Sequence, residues 1–193
     1  MNLRLLDSNA YFRLAKSFHP LLGGPYGTDK IVLKVLEDVD IEFSKNPRLD
    51  SKFSWVSEVE YAANRKNNLL PATGNKADDI RHASIFIREW GRDQGAEFRS
   101  RNITQPSKVD CTVLAYGYVM GITIVSDDAG MAYAAKAFDV LQIESHELLK
   151  ELLDAGIITV QKIQTAMQYL DWLDDLPPRW RREAKKLFGV SSP

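Results

Sequence analysis

Two short apolar runs in this chain each end in acid, and each runs directly into a helical pattern. Leu3, Leu5 and Leu6 lead into Asp7, and Ile122, Ile124 and Val125 lead through Ser126 into Asp127 and Asp128. Both runs are short and the second is rich in β-branched residues, which marks them as buried strands. Helical periodicity follows over residues 9–16 and again over residues 129–138. Strand then helix, repeated, predicts an α/β fold built on a parallel sheet. A further strand is expected over residues 140–143. Residues 31–33 form another strand or open a helix.

Between these ends the pattern is helical. Val35, Leu36, Val39 and Phe43 recur at helical spacing, with Pro47 as the stop. Phe53, Val56, Glu60 and Ala63 predict a second helix, residues 78–90 a third, and residues 110–120 a buried helix of small and apolar residues. Residues 99–109 are polar, contain Pro106 and read as a loop. From Ser145 onward strands give way to helices. Leu148, Leu149, Leu152 and Leu153 form one apolar stripe, ended by Gly156. Ile163, Met167, Leu170 and Leu173 form another, ended by Pro177 and Pro178. Neither helix hides its stripe alone, so both must pack on the core or on a partner. The expected organisation is an α/β domain over residues 1–144 and a helical extension over residues 145–193.

Composition narrows the classes. A chain of 193 residues buries a full core without staples. One cysteine, Cys111, excludes an internal disulfide framework and fits a reducing, cytoplasmic setting. No run approaches the ~18 apolar residues of a membrane span. A net charge of −1 argues against a strongly basic nucleic-acid binder, although local patches survive the averaging.

Each notable acid has a structural explanation on its own. Glu42 follows Val35 by seven positions and Val39 by three, which sets it at the edge of the apolar face of its helix. A carboxylate there packs its stem and keeps its head wet. Asp110 follows Ser107 at capping-box spacing, and Asp7 and Asp128 fit N-caps for the helices after their strands. Topology gives them a second meaning. Strands of a parallel sheet that end in Asp set those carboxylates at one edge, the edge where α/β domains bind ligands. With Asp110 opening a helix there and Glu42 leaning in, four carboxylates converge, and like charges so crowded need protons or cations. Oxygen donors in a chain with one cysteine and three histidines favour Mg²⁺ or Mn²⁺ over zinc.

The segments LLDSNAYFRL, VDIEF and SKVDCTVLAYGYVMGITIVSDD resemble PIN-domain nucleases, and within them the VapC-type ribonuclease toxins. The likeness runs in order over residues 3–143, with no recognised motif over residues 60–100. It implies a three-layer α/β/α fold and metal-dependent hydrolysis of phosphodiester bonds. It maps the family's acids onto Asp7, Glu42, Asp110 and Asp128, with Ser126 as an orienting hydroxyl. Asp127 and Glu60 stand in reserve. It also implies an RNA substrate, an antitoxin protein partner and a homodimer. The chain is longer than a minimal toxin of this type, and its helices after Ser145 are additional.

Other features carry less. His19, His82 and His146 are scattered and read as surface or capping residues. The glycines of residues 22–27 lack the Lys-Ser/Thr ending of a phosphate loop. Arg81, Arg88, Arg92, Arg99 and Arg101 are either phosphate contacts or a solvated helix face. The basic tail at Arg179, Arg181, Arg182, Lys185 and Lys186 fits nucleic acid, a partner or simple solubility. Two alternatives stay open. One is a non-catalytic PIN-like interaction module whose acids are only caps. The other is a metal-dependent phosphatase, against which Asp7-Ser8-Asn9 lacks a second Asp two positions on.

Overall fold

Four strands lie side by side in the order β2-β1-β3-β4, every pair parallel: β1 (Leu3–Leu6), β2 (Val32–Lys34), β3 (Thr123–Val125) and β4 (Gln142–Ile143). The computed structural model describes residues 2–72 and 74–190. Parallel neighbours need crossovers, and helices supply them. The helices are α1 (Ser8–Leu14), α2 (Asp38–Lys45), α3 (Pro47–Lys52), α4 (Val59–Lys66), α5 (Asn75–Asp93), α6 (Gly95–Ser100), α7 (Lys108–Met120), α8 (Ala129–Ala137), α9 (Ser145–Asp154), α10 (Val160–Trp172) and α11 (Pro178–Phe188).

The two-residue period of a strand decides the layers. Leu5 pairs with Ile124 and Leu6 with Val125, all four fully buried. Successive residues point to opposite faces. Leu6 and Val125 therefore join one core cluster with Phe12, Leu149, Met167 and Trp180. Leu5 and Ile124 join the other with Ile87, Leu114 and Met131. Helices α1 and α9 to α11 cover one face; α5, α7 and α8 cover the other. The result is the expected three-layer α/β/α arrangement. The leucine stripe of α9 is buried inside the chain on that first face, together with Ile163, Met167 and Leu170 of α10. No helix among the described residues is long and apolar enough to cross a membrane.

Several local expectations fail for physical reasons. Val35 is not helical: it bridges Leu69 in parallel, and α2 begins only at Asp38. Pro47 does not stop a helix but opens α3, with Asn46 as its N-cap accepting from Arg48 N at 3.1 Å. Its fixed φ and missing N–H suit a first turn. The helix expected from Phe53 to Ala63 splits into a 3-10 turn (Ser54–Ser57) and α4. The strand expected over residues 140–143 shortens because Val140 N bonds back to Ala135 O at 2.8 Å.

One glycine is required by close approach. A Cβ on Gly130, in the first turn of α8, would sit 1.8 Å from the carbonyl oxygen of Thr104. That backbone belongs to the loop leading to Ser107 and α7, and it cannot yield as a side-chain end would. Gly130→Ala should destabilise the chain by at least about 1–3 kcal/mol, the usual range for overpacking. A urea melt showing an unchanged midpoint would contradict this close approach.

Candidate metal centre at the carboxyl edge of the sheet

Asp7 leaves the end of β1 with extended backbone, φ −70° and ψ 169°, and caps α1. Its N–H is held to β3 through Val125 O at 3.1 Å. Asp7 Oδ1 accepts from Ala10 N at 2.6 Å, and Oδ2 accepts the hydroxyl of Ser126. Ser126 is fully buried, and Asp7 is 3% exposed. Burial pushes the Asp7 carboxyl up from 3.8 to about 7. The hydrogen bonds from Ser126 and Ala10 pull the other way, and the charges of Asp127 and Asp110 add to the rise.

Ser126 is the hub. Besides donating to Asp7, its Oγ accepts from Asp128 N at 3.2 Å. Asp128 caps α8, its Oδ1 accepting from Met131 N at 2.7 Å. Burial raises its pKa, and Asp110 contributes to that rise. Asp110 closes the expected capping box on α7: Ser107 N donates to its Oδ2 at 2.7 Å, and its own N–H donates to Ser107 Oγ at 3.2 Å. Asp110 thus acts electrostatically on both Asp7 and Asp128, although the ligand atoms of these three acids do not all lie within 4.8 Å of one another.

The caps do not consume these carboxylates. Each of Asp110 and Asp128 gives one oxygen to its helix. Asp110 Oδ1 makes no hydrogen bond or ion pair among the described residues, whereas the Asp128 carboxylate also takes the backbone N–H of Gly130. Capping fixes each side chain at the N-terminus of its helix. Carboxylate oxygens are the donors that a hard divalent cation takes.

The other two named glutamates stand apart. Glu42 is half-buried on α2 and forms no hydrogen bond or ion pair among the described residues. Because Val35 lies outside α2, half of its helical-wheel placement falls away. Glu60 is exposed on α4, and its charge acts on Tyr61. Neither is among the charges acting on Asp7 or Asp128.

Asp127 turns away from its neighbour. Its carboxylate, 6% exposed, pairs with Arg13 at 2.9 Å and accepts from Ser145 N and Oγ at 2.9 and 2.7 Å. Trp180 Nε1 donates to the same Ser145 Oγ at 2.8 Å, so this knot ties α1, β3, α9 and α11 together. Asp127, Glu144 and His146 also bring one ligand atom each within 4.8 Å of one another, a spacing that could hold a metal ion. Arg13 and Arg179 already engage the two carboxylates. His146 is buried at 5% exposure, which corrects its expected surface position. Ser145 and Arg13 had no sequence signal, since their partner lies on a separate element. Buried Arg65 is a second such case: it donates to Asp40 Oδ1 at 2.7 Å and to Tyr11 OH at 3.2 Å. In the basic tail, Arg179 pairs with Glu144 and Arg181 with Asp171.

No protein-family profile matches the chain, and no curated protein sequence matches it. Among solved structures it is similar to FitAcB from Neisseria gonorrhoeae, with 14% identity and a TM-score of 0.45 over 74% of this chain and 98% of that one.

Proposed function

We propose that this chain is a divalent-metal-dependent endoribonuclease, the toxin of a type II toxin–antitoxin pair. The observation that carries the reading is that Asp7 and Asp128 follow adjacent parallel strands, tied through Ser126, with the charge of Asp110 acting on both. The sequence resemblance to VapC-type toxins assigns the same three residues. Asp7 and Asp110 would be the principal holders of Mg²⁺ or Mn²⁺, and Asp128 would complete the shell; Glu42, outside that group on α2, would orient the attacking water. When bound, the ion supplies Lewis acidity and positive charge to the phosphodiester. Ser126 keeps the Asp7 carboxyl in one orientation and, through the Asp128 N–H, sets the second acid relative to the first.

Cleavage of a labelled single-stranded RNA by purified protein tests this. Wild type should cut with Mn²⁺ and stop with EDTA. Asp110→Asn and Asp128→Asn should each lose more than roughly 100-fold, the upper range for removing even an outer partner of a metal ligand. Unchanged cleavage by both variants would end the proposal. Glu42→Gln should lose far more activity than Glu60→Gln. Equal losses would place the helix carboxylate elsewhere.

One observation favours a second reading, the non-catalytic module: Asp7, Asp110 and Asp128 all serve as helix caps. That reading predicts no cleavage and no metal response. The resemblance also carries a homodimer and an antitoxin into the proposal. The α9 leucine stripe no longer supports the dimer, because it is buried within the chain. Light scattering that gives a monomer at high concentration would remove the dimer.

A further inference from the structure

Helices α5 and α7 leave between them a cavity of about 520 Å³. Ile80, Ile85 and Tyr116 form apolar walls, and Ser84 and Thr112 line it with hydroxyls 3.3 Å apart. Thr112 spends its hydrogen on Lys108 O at 3.1 Å, so Ser84 donates to Thr112 and keeps its own oxygen as an acceptor. Arg81, Arg88 and Lys108 also line the cavity. This is a slot with apolar sides, a hydrogen-bond acceptor and a cationic border.

Two of the three cations there are not neutralised as their neighbours are. Arg92 and Arg101 are tied to Glu89 and Glu97 on their own helices, and Arg81 is tied to Asp78. Arg88 and Lys108 form no side-chain hydrogen bond or ion pair among the described residues, and the Nε–H of Arg88 is buried without an acceptor. A buried donor left so is costly and calls for an acceptor. A guanidinium matches two phosphate oxygens.

Asp110 lies across α7 from the cavity. Lys108 and Thr112 flank Asp110 by two positions on either side, which sets them on the other side of α7. The charge of Arg88 acts on Cys111, the neighbour of Asp110. A helix with its side chains is about 10 Å across. A single strand with a phosphate at Asp110 must therefore pass around about 10 Å of helix to reach the cavity.

We propose that the α5/α7 cavity takes one unstacked base of a single-stranded RNA, with its flanking phosphates on Arg88 and Lys108. An apolar slot between two unpaired cations complements a planar heterocycle on an anionic backbone, and splayed bases are how single strands are read. The inference rests on the nuclease reading and adds to it a base preference read on the far side of α7 from Asp110.

Fluorescence anisotropy of a labelled single-stranded RNA on the full chain tests it, in EDTA so that nothing is cut. Arg88→Gln and Lys108→Ala should each weaken binding several-fold and flatten the salt dependence by about 0.7 in log–log slope. Ser84→Phe, which fills the slot and leaves every charge in place, should weaken binding without changing that slope. Melting curves confirm that each variant is folded. Duplex RNA should compete poorly. Undiminished binding by Ser84→Phe, or equal competition by duplex, overturns the base pocket. Wild-type cleavage with Mn²⁺ in the same preparation would then leave the nuclease reading standing. If the variants weaken binding as expected but wild type never cuts, the pocket survives and the nuclease reading fails.

Discussion

Without metal, Asp7→Asn should melt higher than the wild-type chain at pH 8, by on the order of 10 °C. The folded carboxyl titrates near 7 rather than 3.8, chiefly because it is buried. At about 1.4 kcal/mol per pH unit, the ionised native state carries a penalty on the order of 4 kcal/mol. A folded pKa raised above the unfolded value means that the native state holds its proton more tightly. Wild-type stability is then complete below about pH 4, falls as pH rises towards 7, and is flat above that. Asparagine removes the charge but keeps an oxygen for Ala10 N and a partner for Ser126. At about 2–4 °C per kcal/mol for a chain of this size, the gain is readable. It should shrink as pH falls towards 4. A variant that melts lower than wild type at pH 8 would mean that Asp7 stabilises the fold as an ion, against its burial.

The adjacent acids should separate in opposite directions. Asp127→Asn should cost about 3 kcal/mol, the low end for breaking a buried ion pair, since Arg13 keeps Asp175 at 3.1 Å as a second partner. Relief of Asp7 from a neighbouring negative charge offsets part of that loss. Where it remains folded, Asp127→Asn should still cut RNA. Asp128→Asn keeps its cap on Met131 N and should melt within about 1 kcal/mol of wild type, yet lose cleavage. Denaturant melts and RNA cleavage on the two variants check both halves. The reverse pattern would transfer the ligand role to Asp127.

What the sequence made legible follows from the range of the forces involved. Leu5, Leu6, Ile124 and Val125 announce buried strands by local pattern alone, and the acids after them lie at the sheet edge because parallel topology leaves no other place. The capping box of Ser107 and Asp110 is equally local, and the structure keeps it. Non-local pairings had no such signal. Val35 looks helical by spacing but is drawn into a bridge with Leu69, which displaces the start of α2 and with it the wheel position of Glu42. Nothing in the order of residues foretells that Asp127 closes on Ser145 and Arg13, or that Trp180 donates to that same serine. That knot turns one of two consecutive aspartates into a clamp, and a pattern of residue types treats the pair alike.

The account rests on Asp7, Asp110 and Asp128 holding a divalent ion, and a melting curve with and without Mn²⁺ tests that with no substrate in hand. At about 100 times its dissociation constant, an ion that binds only the native state adds roughly 2.7 kcal/mol. Wild type should then melt roughly 5–10 °C higher. Asp110→Asn keeps an oxygen for Ser107 N and leaves Asp127, Glu144 and His146 untouched, so it isolates the proposed centre from the neighbouring cluster. The predicted result is a clear Mn²⁺ shift in wild type that largely disappears in Asp110→Asn. A flat response in wild type, or an equal shift in both proteins, would contradict the account and leave the three acids as helix caps.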